Sequence, residues 1–145
     1  MQATFADYGW ETNQLLDYMA QSKDFYFDSI SQIKMDRYSQ DRVVLVGDSG
    51  YCASPLSGQG TSLAIVGAYI LAGELAQSDD YRSALKRYDE IMHPFVQKNQ
   101  EIGQYVSETY LLEGDIEKEV IDARNSQIID KVHHAANAIE LPDYR

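Results

Sequence analysis

Asp48 is the residue best placed to do chemistry in this chain. It follows the apolar run Arg42-Val-Val-Leu-Val-Gly47 and opens a loop, 48–60, that holds Gly50, Pro55, Gly58 and Gly60 and ends where Thr61 and Ser62 can cap a helix. Ligands of open sheets gather beyond the carboxyl ends of strands, and the free N–H groups of a helix start favour a negative or electron-rich group. In that arrangement Asp48 accepts from hydroxyls, while the amides of Gly60, Thr61 and Ser62 donate to a carbonyl or an anion. An Asx turn at Asp48 and a plain cap at Thr61 would leave the same pattern, so spacing alone keeps both readings open.

The elements that must position this loop are legible from hydrophobic period. Residues 42–46 form a continuous apolar run of the kind buried on both faces of a sheet. The aromatic and β-branched run 25–35, Phe-Tyr-Phe-Asp-Ser-Ile-Ser-Gln-Ile-Lys-Met, reads as a second strand whose phase slips near Ile30. Leu63 to Leu75 is apolar nearly all round and predicts a central buried helix, with Gly67 and Gly73 allowing close contact. Tyr81, Leu85, Tyr88, Met92, Phe95, Ile102, Val106 and Thr109 keep a 4-3 seam that predicts one long helix, with a kink expected around Pro94. Gly114-Asp115 would end it and cap another, with Ile116, Val120, Ile128 and Val132 on its apolar face up to about Ala138. Tyr8, Leu15, Leu16 and Met19 suggest a first amphipathic helix over 8–20.

These elements add up to a mainly helical α+β unit over 1–145, with a short sheet from about 25–35 and 42–46 and long helices after residue 60. One domain is expected at this length. A net charge of −11 without a local Lys/Arg cluster argues against nucleic-acid and membrane-surface partners. The stretch 61–73 is too short to cross a bilayer. Cys52, the sole cysteine, has no internal disulfide partner, and the first residues lack the pattern of a signal peptide, so a cytoplasmic location is the expectation.

From Arg42 to Leu71 the chain closely resembles the second flavin-binding motif of the class A FAD-dependent monooxygenases of the p-hydroxybenzoate hydroxylase type. The shared pattern is an Arg, an apolar strand, Gly47-Asp48, then Pro55, then Gly58-Gln59-Gly60 and an apolar helix. Asp24 to Asp28 and the downstream helices are similar to the branch that contains tetracycline-inactivating monooxygenases. The resemblance implies that Asp48 binds a ribityl hydroxyl of FAD and that Pro55 lies near the reacting isoalloxazine edge. It also implies that the amides of Gly60, Thr61 and Ser62 face flavin N1 and O2, with Gly58 shaping the loop. NAD(P)H would be the co-substrate and a small organic molecule the substrate. Residues 1–40 would be a remnant of the substrate-domain region, 41–77 the flavin motif with its helix, and 78–145 the C-terminal helices.

The match departs from the family at two places. Many members have Ala-Ala-His after Gly-Asp, where this chain has Ser49-Gly50-Tyr51. The family's Gly-x-Gly-x-x-Gly fingerprint and its middle motif for the pyrophosphate and NAD(P)H are also absent from the 145 residues. The expectation is therefore a C-terminal flavin-facing segment with weak or no FAD binding alone. A homodimer, or a partner chain, would cover what the missing half would cover, with Val44, Leu45, Ile65 or Tyr69 near the contact.

Other classes fit fewer of these residues. Gly47-Asp48-Ser49 with Asp130 and His133 mimics the Gly-Asp-Ser-Leu hydrolases, but three residues without oxyanion donors are a weak match. A non-catalytic structural or interaction segment is the non-enzyme alternative. His133-His134 are adjacent on a helix and point about 100° apart, which is poor for a shared metal. His93 reads as a packing residue, and the tyrosines as core fillers with satisfied hydroxyls.

Overall fold

The computed structural model describes residues 2–110 and 117–145. Helices α1 (Gln2–Phe5) and α2 (Thr12–Gln21) lead into a long irregular segment. A two-residue hairpin follows, β1 (Ser39–Gln40) antiparallel to β2 (Val43–Val44), with Ser39 opposite Val44 and Gln40 opposite Val43. Asp41 turns the chain at φ 52°, a left-handed conformation that Asp tolerates and tight hairpins need. The short helix α3 (Asp48–Tyr51) and a 3-10 turn (Pro55–Ser57) then lead to the three long helices α4 (Gly60–Gln77), α5 (Tyr81–Tyr110) and α6 (Lys118–Ala136).

The seam predicted on α5 is its buried face. Leu85, Tyr88, Met92, Phe95 and Ile102 are buried, and α5 packs against α4, α6, the 3-10 turn and β1. Pro94 lies inside the helix on its exposed side and leaves the Glu90 carbonyl without its usual N–H donor, while the helix continues on both sides. The core joins Tyr38, Tyr51, Ala53, Leu63, Ile70, Tyr88, Met92, Phe95 and Val96. The expected helix start at Gly114-Asp115 with Ile116 lies outside the described residues. Ile128 and Val132 are half-buried on α6, as their spacing predicts, whereas Val120 is exposed.

Three expectations are corrected. First, residues 25–35 form no strand; the partner of the 43–44 strand is 39–40. Side-chain amides take over the bonds a ladder would have made. Gln32 Nε2 donates to the carbonyls of Ala53 and Gln100, Gln100 Nε2 donates to those of Ile33 and Cys52, and the Ile33 amide donates to Cys52 O. The segment is thus fastened to α5 and to the 52–53 loop without a sheet. Second, the run 42–46 is not covered on both faces, since Val43 is 65% exposed and Val44 to Val46 are only half-buried. Third, α4 is buried along one side only. Leu63, Gly67, Ile70, Gly73 and Glu74 face inward, while Ile65, Tyr69 and Leu75 are exposed on the other side. The first amphipathic helix is present as α2, but it buries no residue fully.

The C-terminal tail is a feature that hydrophobic period does not announce. It folds back over α4, where Tyr69 Oη donates to Pro142 O (2.8 Å) and Tyr144 Oη donates to Glu74 Oε1 (2.8 Å). Glu74, 5% exposed, also accepts from Arg87 Nε at 2.7 Å. A methyl group at Gly73 would fall 2.1 Å from the Tyr144 ring, so glycine there makes room for the ring. The small residues foreseen on α4 therefore admit side chains rather than another backbone: Tyr144 at Gly73 and Tyr51 at Gly67.

Candidate functional site

Gly47 sits between β2 and α3 at φ 71°. That left-handed turn favours glycine, and a methyl group there would also press on Ala64 Cβ at 3.3 Å. The turn places Asp48, an exposed residue, at the start of α3 and brings it beside the start of α4: a methyl group on Gly60 would lie 3.7 Å from Asp48 Oδ1. Gly47 thus lets the strand end turn close to the helix start, with Gly60 beside the Asp48 carboxylate.

The helix start is open. Gln59 occupies the N-cap of α4 without a side-chain cap bond, and the first backbone bond of the helix runs from Leu63 N to Gln59 O (3.0 Å). The amides of Gly60, Thr61 and Ser62 therefore have no acceptor within the helix and are oriented by it outward from its start. Thr61 and Ser62 lie inside the first turn rather than capping it, which corrects the capping expectation: Gln59 is the N-cap and the helix starts at Gly60. A hollow of about 630 Å³ opens between the two elements, lined by Val46, Gly47, Asp48, Gly58, Gly60, Thr61, Ala64 and Ile65.

Of the six expected site residues, Asp48, Gly58, Gly60 and Thr61 line this hollow, whereas Pro55 and Ser62 lie outside its lining. Pro55 begins the 3-10 turn, which is held by Ser54. Ser54 takes φ 71°, unusual for a residue with a side chain; its Oγ accepts from Leu56 N, and its carbonyl accepts from Ser57 Oγ. The far side of that turn borders a second hollow of about 330 Å³, lined by Ile30, Gln32, Lys34, Ser54, Leu56, Gly103, Gln104, Ser107 and Glu108. Sequence reasoning did not find this second lining, because it assembles from the irregular 30–34 segment, the loop and α5, which share no local period. Ser54 and Leu56 of the Pro55 turn thus line a hollow with mixed polar and apolar side chains, and Gly58, just after the turn, lines the one with the carboxylate and open amides.

Under the loop lies a group of buried tyrosines. Tyr51 and Tyr88 hydroxyls meet at 3.1 Å, Tyr88 Oη donates to Leu45 O at 2.9 Å, and the Tyr38 ring stands edge-on to both. Asp89 anchors the hairpin by accepting from Tyr38 N and Ser39 Oγ. His93 is exposed, and its ring stacks on Tyr38 with ring centres 6.0 Å apart. Burial, the Asp89 charge and Tyr51 push the Tyr38 phenol up to about 12, and burial followed by the Tyr51 hydrogen bond raises that of Tyr88 further. The folded state therefore holds these protons more tightly than the unfolded chain does. Their stabilising contribution is full below about pH 10 and is lost as pH rises from there toward the folded values. Each tyrosine gives a slope of up to about 1.4 kcal/mol per pH unit in that window. Urea unfolding at about pH 9 and about pH 11 should show a marked fall in stability between the two; equal midpoints would contradict the burial of the phenols.

The hydrolase reading gains nothing here. Ser49 Oγ donates to Val46 O at 3.0 Å, and Asp130 and His133 belong to α6, which packs on α5.

A strand-end aspartate facing an uncapped helix start across a Gly/Pro loop is an architecture of nucleotide-cofactor proteins. Residues 18–102 match the FAD binding domain family, and the chain belongs to that family. It is 51% identical to a flavin-dependent monooxygenase of an unknown prokaryotic organism, over 99% of this chain and 38% of the relative. It is 47% identical to a flavin-dependent monooxygenase of Legionella longbeachae serogroup 1 (strain NSW150), over 99% of this chain and 37% of the relative. The crystal structure of tetracycline destructase Tet(55) superposes with a TM-score of 0.87 at 48% identity, over 99% of this chain and 38% of that one. The chain thus spans less than two-fifths of the length of these relatives. The small sheet and long helices are those of a flavin monooxygenase segment, and FAD is the family's cofactor. Among the described residues, no helix is long and apolar enough to cross a membrane.

Proposed function

We propose that this chain is the flavin-facing segment of an FAD-dependent monooxygenase that hydroxylates a small organic substrate with NAD(P)H as reductant. The observation that carries the reading is the hollow shared by the Asp48 carboxylate and the uncapped amides of Gly60 and Thr61. Those groups suit a flavin. Asp48 accepts from a ribityl hydroxyl, and the α4 start donates to the N1–O2 edge, where its positive end favours the negative charge of a reduced ring. FAD supplies the passage of electrons from the nicotinamide to dioxygen. The protein's part is to hold the ring edge, to keep the Pro55 turn against its reacting side, and to present the second hollow to the substrate. The mixed lining of that hollow, with Ile30 and Leu56 beside Gln32, Lys34, Gln104 and Glu108, suits an oxygenated organic molecule. The likeness to Tet(55) makes tetracyclines the first substrates to try.

The reading is tested by replacing the matching segment of the Tet(55) destructase with this chain. The chimera should purify with FAD and show NADPH consumption that rises on adding tetracycline, with both markedly reduced in Asp48→Ala. A folded chimera that never retains FAD would defeat the proposal.

A partner surface belongs to the same reading. Ile65 is 66% exposed, and Tyr69 and Leu75 further along α4 and Val43 on β2 are exposed as well. Apolar side chains exposed this way on a helix and a strand edge favour association. We expect this face to be covered in solution, most simply by a second copy of the chain, in the cytoplasm where NAD(P)H is available. Light scattering at micromolar concentration should give a dimer mass, and Ile65→Lys should shift it toward the monomer. A monomer mass for the unaltered chain would contradict a homodimer.

A further inference from the structure

The aspartate turn is held from beneath by a directed hydroxyl relay that the flavin motif does not include. Each tyrosine hydroxyl has one proton to give. Tyr88 spends its proton on Leu45 O (2.9 Å), so at the 3.1 Å contact between hydroxyls Tyr51 is the donor and Tyr88 the acceptor. The order is therefore Tyr51 to Tyr88 to Leu45, and it ties two points of the chain, three residues on either side of Asp48, to one residue of α5. Within that span, the amides of Gly50 and Tyr51 both donate to Gly47 O (3.1 and 3.0 Å), closing the turn that carries Asp48. Gly50 is close enough to Leu45 that a methyl group there would fall 2.9 Å from Leu45 Cβ. The hairpin adds just two paired residues on each strand, too few to fix the strand end by itself.

We infer that Tyr88 is a positioning residue for Asp48, acting through Tyr51 and the Leu45 carbonyl to hold the Gly47–Asp48 turn at its distance from the α4 start. This rests on the reading of Asp48 as a flavin ligand. Tyr51, which departs from the family's usual residue at its position, takes a specific part: its hydroxyl reaches over Gly67 to the α5 tyrosine.

The test is Tyr88→Phe, which keeps the ring and removes both bonds, measured by amide hydrogen exchange and by chemical-shift titration of the full chain with FAD. The amides of Gly50 and Tyr51 should exchange about 10-fold faster, while those of Ile70 on α4 and Ile102 on α5 stay within about 2-fold of the unaltered chain. Affinity for FAD should fall about 10-fold. In a background already carrying Asp48→Ala, Tyr88→Phe should cause no further loss. Tyr51→Phe, which leaves the Tyr88 to Leu45 bond intact, should have a smaller effect on both readouts. Faster exchange spread evenly over all the helices, or none at Gly50, would overturn the inference and reduce Tyr88 to a core filler. Fast exchange at Gly50 with FAD affinity lowered by Asp48→Ala but not by Tyr88→Phe would overturn it as well. If neither substitution changes FAD affinity, the flavin reading of Asp48 is the one that fails.

Discussion

Replacing Asp48 with alanine is expected to weaken FAD binding by about 10- to 100-fold, the loss that follows when a charged acceptor of a hydroxyl is removed. The site stands on two supports, the carboxylate at the strand end and the amides at the helix start. The amides are backbone and survive every side-chain change, so the carboxylate is the support that substitution can remove. Because the chain lacks a glycine fingerprint for the pyrophosphate, its own affinity for FAD is expected to be weak. The comparison therefore needs equilibrium dialysis at high flavin concentration, with Asp48→Asn as a second variant that keeps an acceptor oxygen but loses the charge. Asp48→Asn should fall between the two. Equal affinity in all three proteins would leave Asp48 as an Asx-turn residue and nothing more. Tight, stoichiometric FAD in the unaltered chain would show that the missing fingerprint matters less than supposed.

The second large effect is expected on stability, from Gly67→Ala. A helix interior gains about 1 kcal/mol from this change when the new methyl is free. Here the methyl would sit 1.9 Å from Tyr51 Oη and 3.3 Å from Met92 Cε, deep in the core. Tyr51 cannot swing outward, because it is 1% exposed and its hydroxyl is bonded to Tyr88. Overpacking of this kind costs about 1–3 kcal/mol, and the displaced hydroxyl pair adds about 1–3 kcal/mol more. We expect a net loss of about 2–4 kcal/mol by denaturant unfolding, a large share of the stability of a small domain. Tyr51→Phe removes the clashing oxygen, so Gly67→Ala should cost clearly less in that background. Additive effects in this cycle would show that the clash is relieved elsewhere.

Much of the site was legible because its signal is local. The order Arg42, apolar strand, Gly47-Asp48, Pro55, Gly58-Gln59-Gly60 and apolar helix lies within thirty residues, and Gly47 and Gly58 each answer a left-handed backbone demand at their own positions. The α5 seam was legible for the same reason, since one face of one helix writes its period directly into the sequence. The segment 25–35 misled because aromatic and β-branched residues signal a half-buried extended chain, not what its amides bond to. Here Gln32 and Gln100, 68 residues apart, supply those bonds. The Tyr51–Tyr88 relay and the Tyr144 clasp are likewise contacts between distant parts of the chain, to which local period is blind. The burial of α4 was overestimated because an all-apolar helix specifies that both faces want cover, not that both have it.

The clasp between Tyr144 and Glu74 has a bearing on how the protein comes off the ribosome. Glu74 finds Arg87 soon after both are made, only 13 residues apart, but its second oxygen must wait for Tyr144, 70 residues further on. Tyr69 waits as long for Pro142. Until residues 142–144 have left the exit tunnel, Tyr69, Gly73 and Glu74 of α4 therefore lack the cover that these residues give them. A nascent chain in that state offers a long apolar helix to any passing hydrophobic surface, which is the situation chaperones are built to meet. Removing residues 142–144 would make this loss of cover permanent while leaving every residue of the Asp48 hollow in place.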